Sequence, residues 1–441
     1  MPRLRTSPAL ALVLSLSLGA CRDRQPAADL DQADPSPAEA RPGLRSAPPL
    51  PGVRSLELAD PIGSSPGLSV DAEGIWLAWM SDVGQPTLKL ASLAAGEGEG
   101  EGEGVGEEWS EAQVVTANPR LLINWADVPA IGHTPSGRAV VAWPEYHTDD
   151  SGTGYGLRLA AALEDGSFGP AWSPDEVRRG PESGFAGFVS SSAGLRLFWL
   201  DGRELHGPGH HDRHDHGGRG AMQLRSLLID AEGQQQGPSV ILDERTCECC
   251  KLGVGLLGEQ AFAAYRDRSE AEVRDIFVAG PGLSPTRVAA DGWTIAGCPV
   301  NGPAVASGAR AHVAWFTGAG DRSATWIAGA DSLAGFEAPI RFDLGLPGGR
   351  VDLLALPDGG VLISWLELDP ANPGLAALLT RRLGPDGQLG PAYAVAELGA
   401  ARDWGFPRAA LHGDEILWIY TDPTAADGRP RLQARVGRLP A

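Results

Sequence analysis

The sequence predicts an all-β ring of seven four-stranded antiparallel units. Three observations predict it: a strand ending in an aromatic residue recurs along the chain, a tight turn precedes each copy, and almost no helical period interrupts the series. The strands are "GIWLAW" to Trp79, "AVVAW" to Trp143, "LRLFW" to Trp199, "AFAAY" to Tyr265, "AHVAW" to Trp315, "VLISW" to Trp365 and "EILWIY" to Tyr420, at spacings of 64, 56, 66, 50, 50 and 55 residues. Periods of that size mark arrays of supersecondary units. Turns such as "DAEG" at 71–74, "SSAG" at 191–194 and "PDGG" at 357–360 follow short apolar runs such as "GLSV", "GFVS" and "DLLAL", which gives strand, turn, strand each time. A third strand follows each aromatic, "GLRLAAAL" for example, and a fourth lies between copies, "PSVILDE" and "DEVRR" for example. Four antiparallel strands repeated in this way match a β-propeller better than a sandwich or a solenoid. The last copy stops after its third strand near Leu439, whereas "VRSLELAD" at 53–60 is a fourth-type strand without a unit of its own. Pairing the two closes the ring and leaves no free edge. Counting copies gives seven blades; six follows if the weak third copy, around 182–230, is not a full blade.

Ahead of the ring, "MPRLRTSPALALVLSLSLGAC" has a basic start, an apolar run and a small-residue ending before Cys21. The run is too short to span a bilayer and has the shape of a secretory signal. Its Leu-Gly-Ala-Cys ending resembles the lipobox of bacterial lipoproteins, which implies that residues 1–21 are a signal peptide and that Cys21 is lipidated. Arg22 stands where the inner-membrane retention aspartate would be, so the expected address is the cell envelope, anchored in the outer membrane. Residues 22–52 hold no aromatic and no apolar period, and read as a Pro/Ala-rich disordered tether. The propeller is assigned to 53–441. Formal net charge is −20, and loss of Arg3 and Arg5 with the signal makes it −22. That field disfavours nucleic acid and anionic surfaces as partners. It leaves the membrane, through the lipid anchor, and a glycan or protein ligand.

"EDGSFGPAWSP" at 164–174 and "ADSLAGFEAP" at 330–339 look like degenerate Asp-box turns, so the chain resembles the sialidase-like propellers that carry BNR repeats. The sector "TCECCKLG…CPVNGP" resembles, more specifically, bacterial lipoproteins of that sialidase-like type. The resemblance implies a propeller over roughly 53–441 and a glycoside hydrolase of sialidase type as one activity. That activity needs an arginine triad, a Tyr/Glu nucleophile pair and an aspartic acid, a set that does not map onto this chain. Arg266, Arg268 and Arg274 with Asp267 and Asp275 in "YRDRSEAEVRDI" form a dense charged cluster: Arg266, Asp267 and Arg274 are candidates for carboxylate recognition, against a cross-strand salt-bridge ladder.

In a propeller the segments leading into the innermost strands gather at one mouth of the channel. Counting back about 17 residues from each marker aromatic reaches "NWADVP", "ESGF", "CECC", "GCPV" and "DWGFP". Asn124, Trp125, Asp127, Asp403 and Trp404 are therefore candidate ligand contacts. Trp beside carboxylates suits a sugar, with ring stacking and hydroxyl acceptors; the alternative is that the Trp plug the channel and the Asp cap turns.

The same counting puts Cys298 17 residues before Trp315, and Cys247 and Cys249 18 and 16 before Tyr265. Export favours disulfides. The leading expectation is a bridge from the Cys247/Cys249/Cys250 segment to Cys298, joining blade four to blade five, with the remaining pair closed within the cluster. A thiolate site for copper(I) or zinc is the rival, although the C-x-C-C spacing is unlike a zinc knuckle. A nucleophilic cysteine is disfavoured because only His312 stands near. His206, His210, His211, His214 and His216 in "HGPGHHDRHDHGG" offer weak imidazole donors. "AAGEGEGEGEGVGEEWSE" at 94–111 reads as a solvated acidic loop. No cofactor is expected, with zinc or copper the exception. The function expected is a binding or interaction module at the channel mouth; a sialidase-like hydrolase and a metal-handling protein are the alternatives.

Overall fold

The computed structural model describes residues 47–97, 103–147, 154–177, 182–205, 220–295 and 297–440. Cys21, the signal segment and all five histidines of the 206–216 tract lie outside the described residues. The described chain is a seven-bladed β-propeller of antiparallel sheets with no α-helix among its described residues. The innermost strands are Ser64–Val70, Ala130–His133, Ser183–Ser191, Gly253–Leu257, Ala304–Ser307, Pro347–Ala355 and Arg408–His412, for blades one to seven. The third copy is a complete blade, Ser183–Ser191, Gly194–Asp201, Met222–Ile229 and Gln235–Thr246, so the ring has seven blades and not six. Arg54–Leu56 pairs with Arg431–Gly437 of blade seven, with Ser55 opposite Arg435, and closes the ring as expected. Packing starts earlier than Val53: Leu50 is 2 % exposed and Leu50 N–H donates to the Ala394 carbonyl.

Seven apolar clusters fill the seven spaces between blades, and each holds one marker aromatic. Each marker lies on the second strand of its blade and faces the blade before it, as Trp365 does among Ile327, Phe342 and Ile363. A buried indole needs an acceptor, and in three blades the repeat supplies it two residues further on. Trp199 Nε1 donates to Asp201 at 2.8 Å, and Trp365 Nε1 to Glu367 at 2.7 Å. The inner strands converge so tightly that small residues are required: a Cβ on Gly67 would stand 2.0 Å from the Pro129 carbonyl oxygen of the next blade.

Two local expectations are corrected. "DEVRR" is not a strand where it is described: Pro174–Glu176 forms a 3-10 turn, and the outer edge of blade two is reduced to a bridge between Leu159 and Trp172. Pro174 cannot donate to a ladder, and Asp175 and Glu176 take left-handed backbone at φ 52° and 57°. The described part of the acidic loop is also structured, because Glu103–Trp109 folds back as a strand against Thr87–Glu97, with Val105 3 % exposed.

Candidate functional site at the channel mouth

The lead-in segments do gather at one mouth, and four of them fasten the next by a polar side chain. Ser65 Oγ donates to the Asn124 carbonyl at 2.6 Å, and Asp127 Oδ1 accepts the Phe185 N–H at 2.8 Å. Asn301 Oδ1 accepts the Arg350 N–H at 2.9 Å, and Asp352 Oδ2 accepts the Ala409 N–H at 2.8 Å. At the head of four inner strands a non-glycine residue is left-handed: Ser65 at φ 62°, Phe185 at 54°, Val300 at 49° and Arg350 at 54°. In three of those strands the neighbouring register slips, so these are bulges that re-aim side chains. Non-glycine residues in that region cost about 1–3 kcal/mol each and cluster at ligand sites.

Trp125 is the half-buried centre of this mouth. Its indole lies parallel to Phe406, with ring centroids 6.1 Å apart and planes within 5°. The Arg350 and Arg402 guanidinium carbons stand 6.0 and 5.7 Å from its ring. Arg350 is 8 % exposed; its Nη2 donates to the Ala401 carbonyl at 2.9 Å, while its Nη1 has no partner among the described residues. Burial draws Arg350 down to about 10. Asp127 is 1 % exposed, and its Oδ2 likewise has no partner among the described residues. Burial pushes its carboxyl up to about 7, against the Phe185 hydrogen bond. Glu182 keeps part of its surface open at the mouth, and burial of its carboxyl together with the charge of Glu248 raises it to about 8. Two carboxyls thus hold protons near neutrality, where each can both donate and accept.

Below the mouth the channel encloses a cavity of about 290 Å³, walled by Phe185, Phe406 and Val254 with Lys251, Asp352 and Arg408. Lys251 is buried; its Nζ donates to the Val351 carbonyl at 2.7 Å and lies 5.3 Å from the Phe406 ring. Burial, helped by Arg408, lowers it to about 7.

The other candidates are placed differently. Asn124 Oδ1 caps its own turn through the Ala126 N–H at 2.8 Å. Asp403 is exposed beside Arg402. Trp404 packs over Gly399 on the outer strand of blade six, where a Cβ would meet its Nε1 at 2.2 Å, so it is a wall residue and not part of the Trp125 platform. Arg266 is 1 % exposed and commits its guanidinium to the carbonyls of Asn301, Arg274 and Phe316 while lying 4.8 Å over Trp293. It joins blade four to blade five instead of facing a ligand. Arg268 pairs with Glu248 and Glu272, and Arg274 with Glu272 and Cys247. The cluster is therefore neither a triad around one carboxylate nor a simple ladder, and it clamps the cysteine segment. Asp267 is half-buried; burial raises its carboxyl to about 6.

Cys249 is bonded to Cys298, with Cα atoms 6.0 Å apart, and bridges the lead-ins of blades four and five. The second bridge is not formed: Cys247 and Cys250 are free, buried thiols with sulfurs 3.4 Å apart. The Sγ atoms of Cys247, Cys249 and Cys250 lie within 4.8 Å of one another, but the disulfide leaves only two of them as thiol ligands for a metal.

Glu182, Lys251, Arg350, Arg402 and Phe406 were not among the candidates. The same counting reaches Glu182, 17 residues before Trp199, and Arg350, 15 before Trp365. Neither stands out by residue type; both stand out only once the ring brings them to Trp125 and Asp127.

Fold and mouth together define a seven-bladed propeller with a strained, charged rim around an aromatic platform. No family model and no curated protein matches the sequence. Among solved structures the chain resembles a protein of unknown function from Dyadobacter fermentans, at 15 % identity over 88 % of this chain and 100 % of that one, TM-score 0.46. It also resembles a polysaccharide lyase, at 10 % identity over 87 % and 91 %, TM-score 0.49. A Hadza microbial sialidase matches at 11 % identity over 85 % of this chain and 65 % of its own, TM-score 0.40. Likenesses this distant carry no argument about chemistry.

Proposed function

We propose that the protein is a ligand-capturing propeller whose channel mouth binds a glycan. The observation that carries this reading is Trp125: a half-buried indole backed by Phe406, edged by Arg350 and Arg402, and two residues before the buried Asp127. Apolar stacking with a few convergent polar groups is how sugar faces and hydroxyls are held. Arg350 Nη1 and Asp127 Oδ2 are buried polar atoms without a partner among the described residues, an unsatisfied pair beside the platform. Hydrolysis is the second reading, favoured by the raised carboxyls of Asp127 and Glu182, since a general acid must hold its proton near the working pH. We place this activity at the cell envelope, with the chain anchored through Cys21, because the first 21 residues have the pattern of a lipidated signal segment.

A glycan array probed with the full chain tests the reading. The expected result is retention of a defined glycan set by the wild type and by Trp404→Ala, and its loss in Trp125→Ala. Equal retention by Trp125→Ala would refute the site. Release of reducing sugar from a retained glycan, abolished in Glu182→Gln, would move the protein from binder to hydrolase.

A further inference from the structure

The cysteine sector holds a dithiol and a disulfide side by side, at two depths. Cys247 and Cys250 are each 1 % exposed, whereas Cys249 and Cys298 are partly exposed. The spacing of Cys247 and Cys250 is C-x-x-C, and their sulfurs are in hydrogen-bond contact at 3.4 Å. Arg274 Nη1 donates to Cys247 Sγ at 3.1 Å, so a guanidinium already supplies the positive charge that a metal would bring. Arg274 is itself held by Glu272 at 2.7 Å, and its N–H by the Trp293 carbonyl at 2.7 Å. The hydrogen bond from Cys250, and then Arg274 and Arg266, pull the Cys247 thiol below its ordinary value against the effect of burial. Burial and the neighbouring sulfur push Cys250 up. One sulfur is thereby set as nucleophile and its neighbour as proton carrier, within 4.8 Å of the Cys249 sulfur. The histidine missing from the sector is not needed, because Arg274 does its electrostatic work.

We propose that Cys247, Cys249, Cys250 and Cys298 form a thiol–disulfide exchange centre, with a buried dithiol that reduces the outer disulfide and so presents reducing equivalents to an external disulfide at the rim. The Cys247 thiolate attacks Cys249 Sγ; the Cys249–Cys298 bond breaks and Cys298 leaves as thiolate. Cys250 passes its proton to Cys298 and its sulfur then closes on Cys247, releasing Cys249 as thiolate. Two thiols are oxidised to one disulfide and one disulfide is reduced to two thiols, so atoms, electrons and charge balance without an outside oxidant. The partly exposed Cys249/Cys298 dithiol then reduces one small or peptide-borne disulfide and recloses, a single turnover that leaves both bridges formed. This exchange also opens and closes the link between blades four and five, next to Glu182 and Lys251. It does not rest on the glycan reading.

The test uses the full chain carrying one disulfide, incubated with a catalytic trace of a small thiol, quenched in acid, alkylated and mapped by mass spectrometry. The expected result is a second isomer, with Cys247–Cys250 bonded and Cys249 and Cys298 alkylated, which Cys250→Ser abolishes. In Arg274→Gln the pH midpoint of exchange should rise by about one unit, slowing exchange at neutral pH about tenfold. A single connectivity at all times in the wild type overturns the proposal. The wild-type measurement stands by itself if a variant fails to fold. An unchanged pH midpoint in a folded Arg274→Gln would remove Arg274 from the mechanism.

Discussion

The walls between blades and the mouth of the channel are built from similar residues under opposite rules. In the walls most buried marker Trp find a carboxylate acceptor, two residues along the strand for Trp143, Trp199 and Trp365 and at Asp291 for Trp315, with Trp79 Nε1 the exception among the described residues. At the mouth Asp127 and Arg350 are as deeply buried, yet each keeps a polar atom without a partner among the described residues, and four inner strands begin in left-handed backbone. The difference teaches where the repeat serves stability and where it has been interrupted. Strain and unsatisfied buried polar groups lower stability, and they persist where something other than the fold uses them.

The largest effect belongs to the walls. Trp365→Ala should cost about 3–5 kcal/mol in urea unfolding, through the cavity left against Phe342 and Ile363 and the loss of the Glu367 contact. A cost under 1 kcal/mol would show that the blades do not depend on their markers.

Next comes the pH dependence set by the mouth. The Asp127 carboxyl is raised to about 7 from 3.8, so the stability it contributes is fully present below pH 4 and is lost as pH rises through 7. Lys251 is lowered to about 7 from 10.5, so its contribution is present above that upper value and is lost as pH falls through 7. The two together place a minimum of stability near neutral pH. Asp127→Asn should shrink the acid limb, which Glu182, raised to about 8, and Asp267, raised to about 6, share, and Lys251→Met should remove the alkaline limb, each change on the order of a few kcal/mol across its window. Urea midpoints measured from pH 4 to 10 check both, and parallel curves for wild type and variants would contradict the burial of these charges.

The smallest effect is at the surface. Arg431→Ala breaks a half-exposed pair with Asp427 and should shift stability by under about 1 kcal/mol.

Legibility in the sequence follows the same division. The walls were readable because a marker aromatic, a turn and an alternating strand recur locally, and the closing strand at 54–56 was readable as the one piece the count lacked. "DEVRR" misled because a short charged run around Val177 between copies looks like an edge strand until Pro174 and the left-handed Asp175 end it. Arg266 misled more deeply: its acceptors are carbonyls of Asn301 and Phe316, 35 and 50 residues away, and carbonyls leave no mark in a sequence. The counting rule did bring Trp125, Asp127 and the cysteines to one mouth. It did not separate Trp125 from Trp404, because which ring faces the channel is decided by Gly399 on another blade.

The central claim is that the mouth around Trp125 is kept for a ligand and not for the fold. Its most direct test is paired titration and urea unfolding of wild type and Trp125→Ala, using a glycan retained on the array. The expected result is at least a tenfold loss of affinity with an unfolding midpoint close to that of wild type. Unchanged affinity, or a collapse of stability comparable to that of Trp365→Ala, would contradict it.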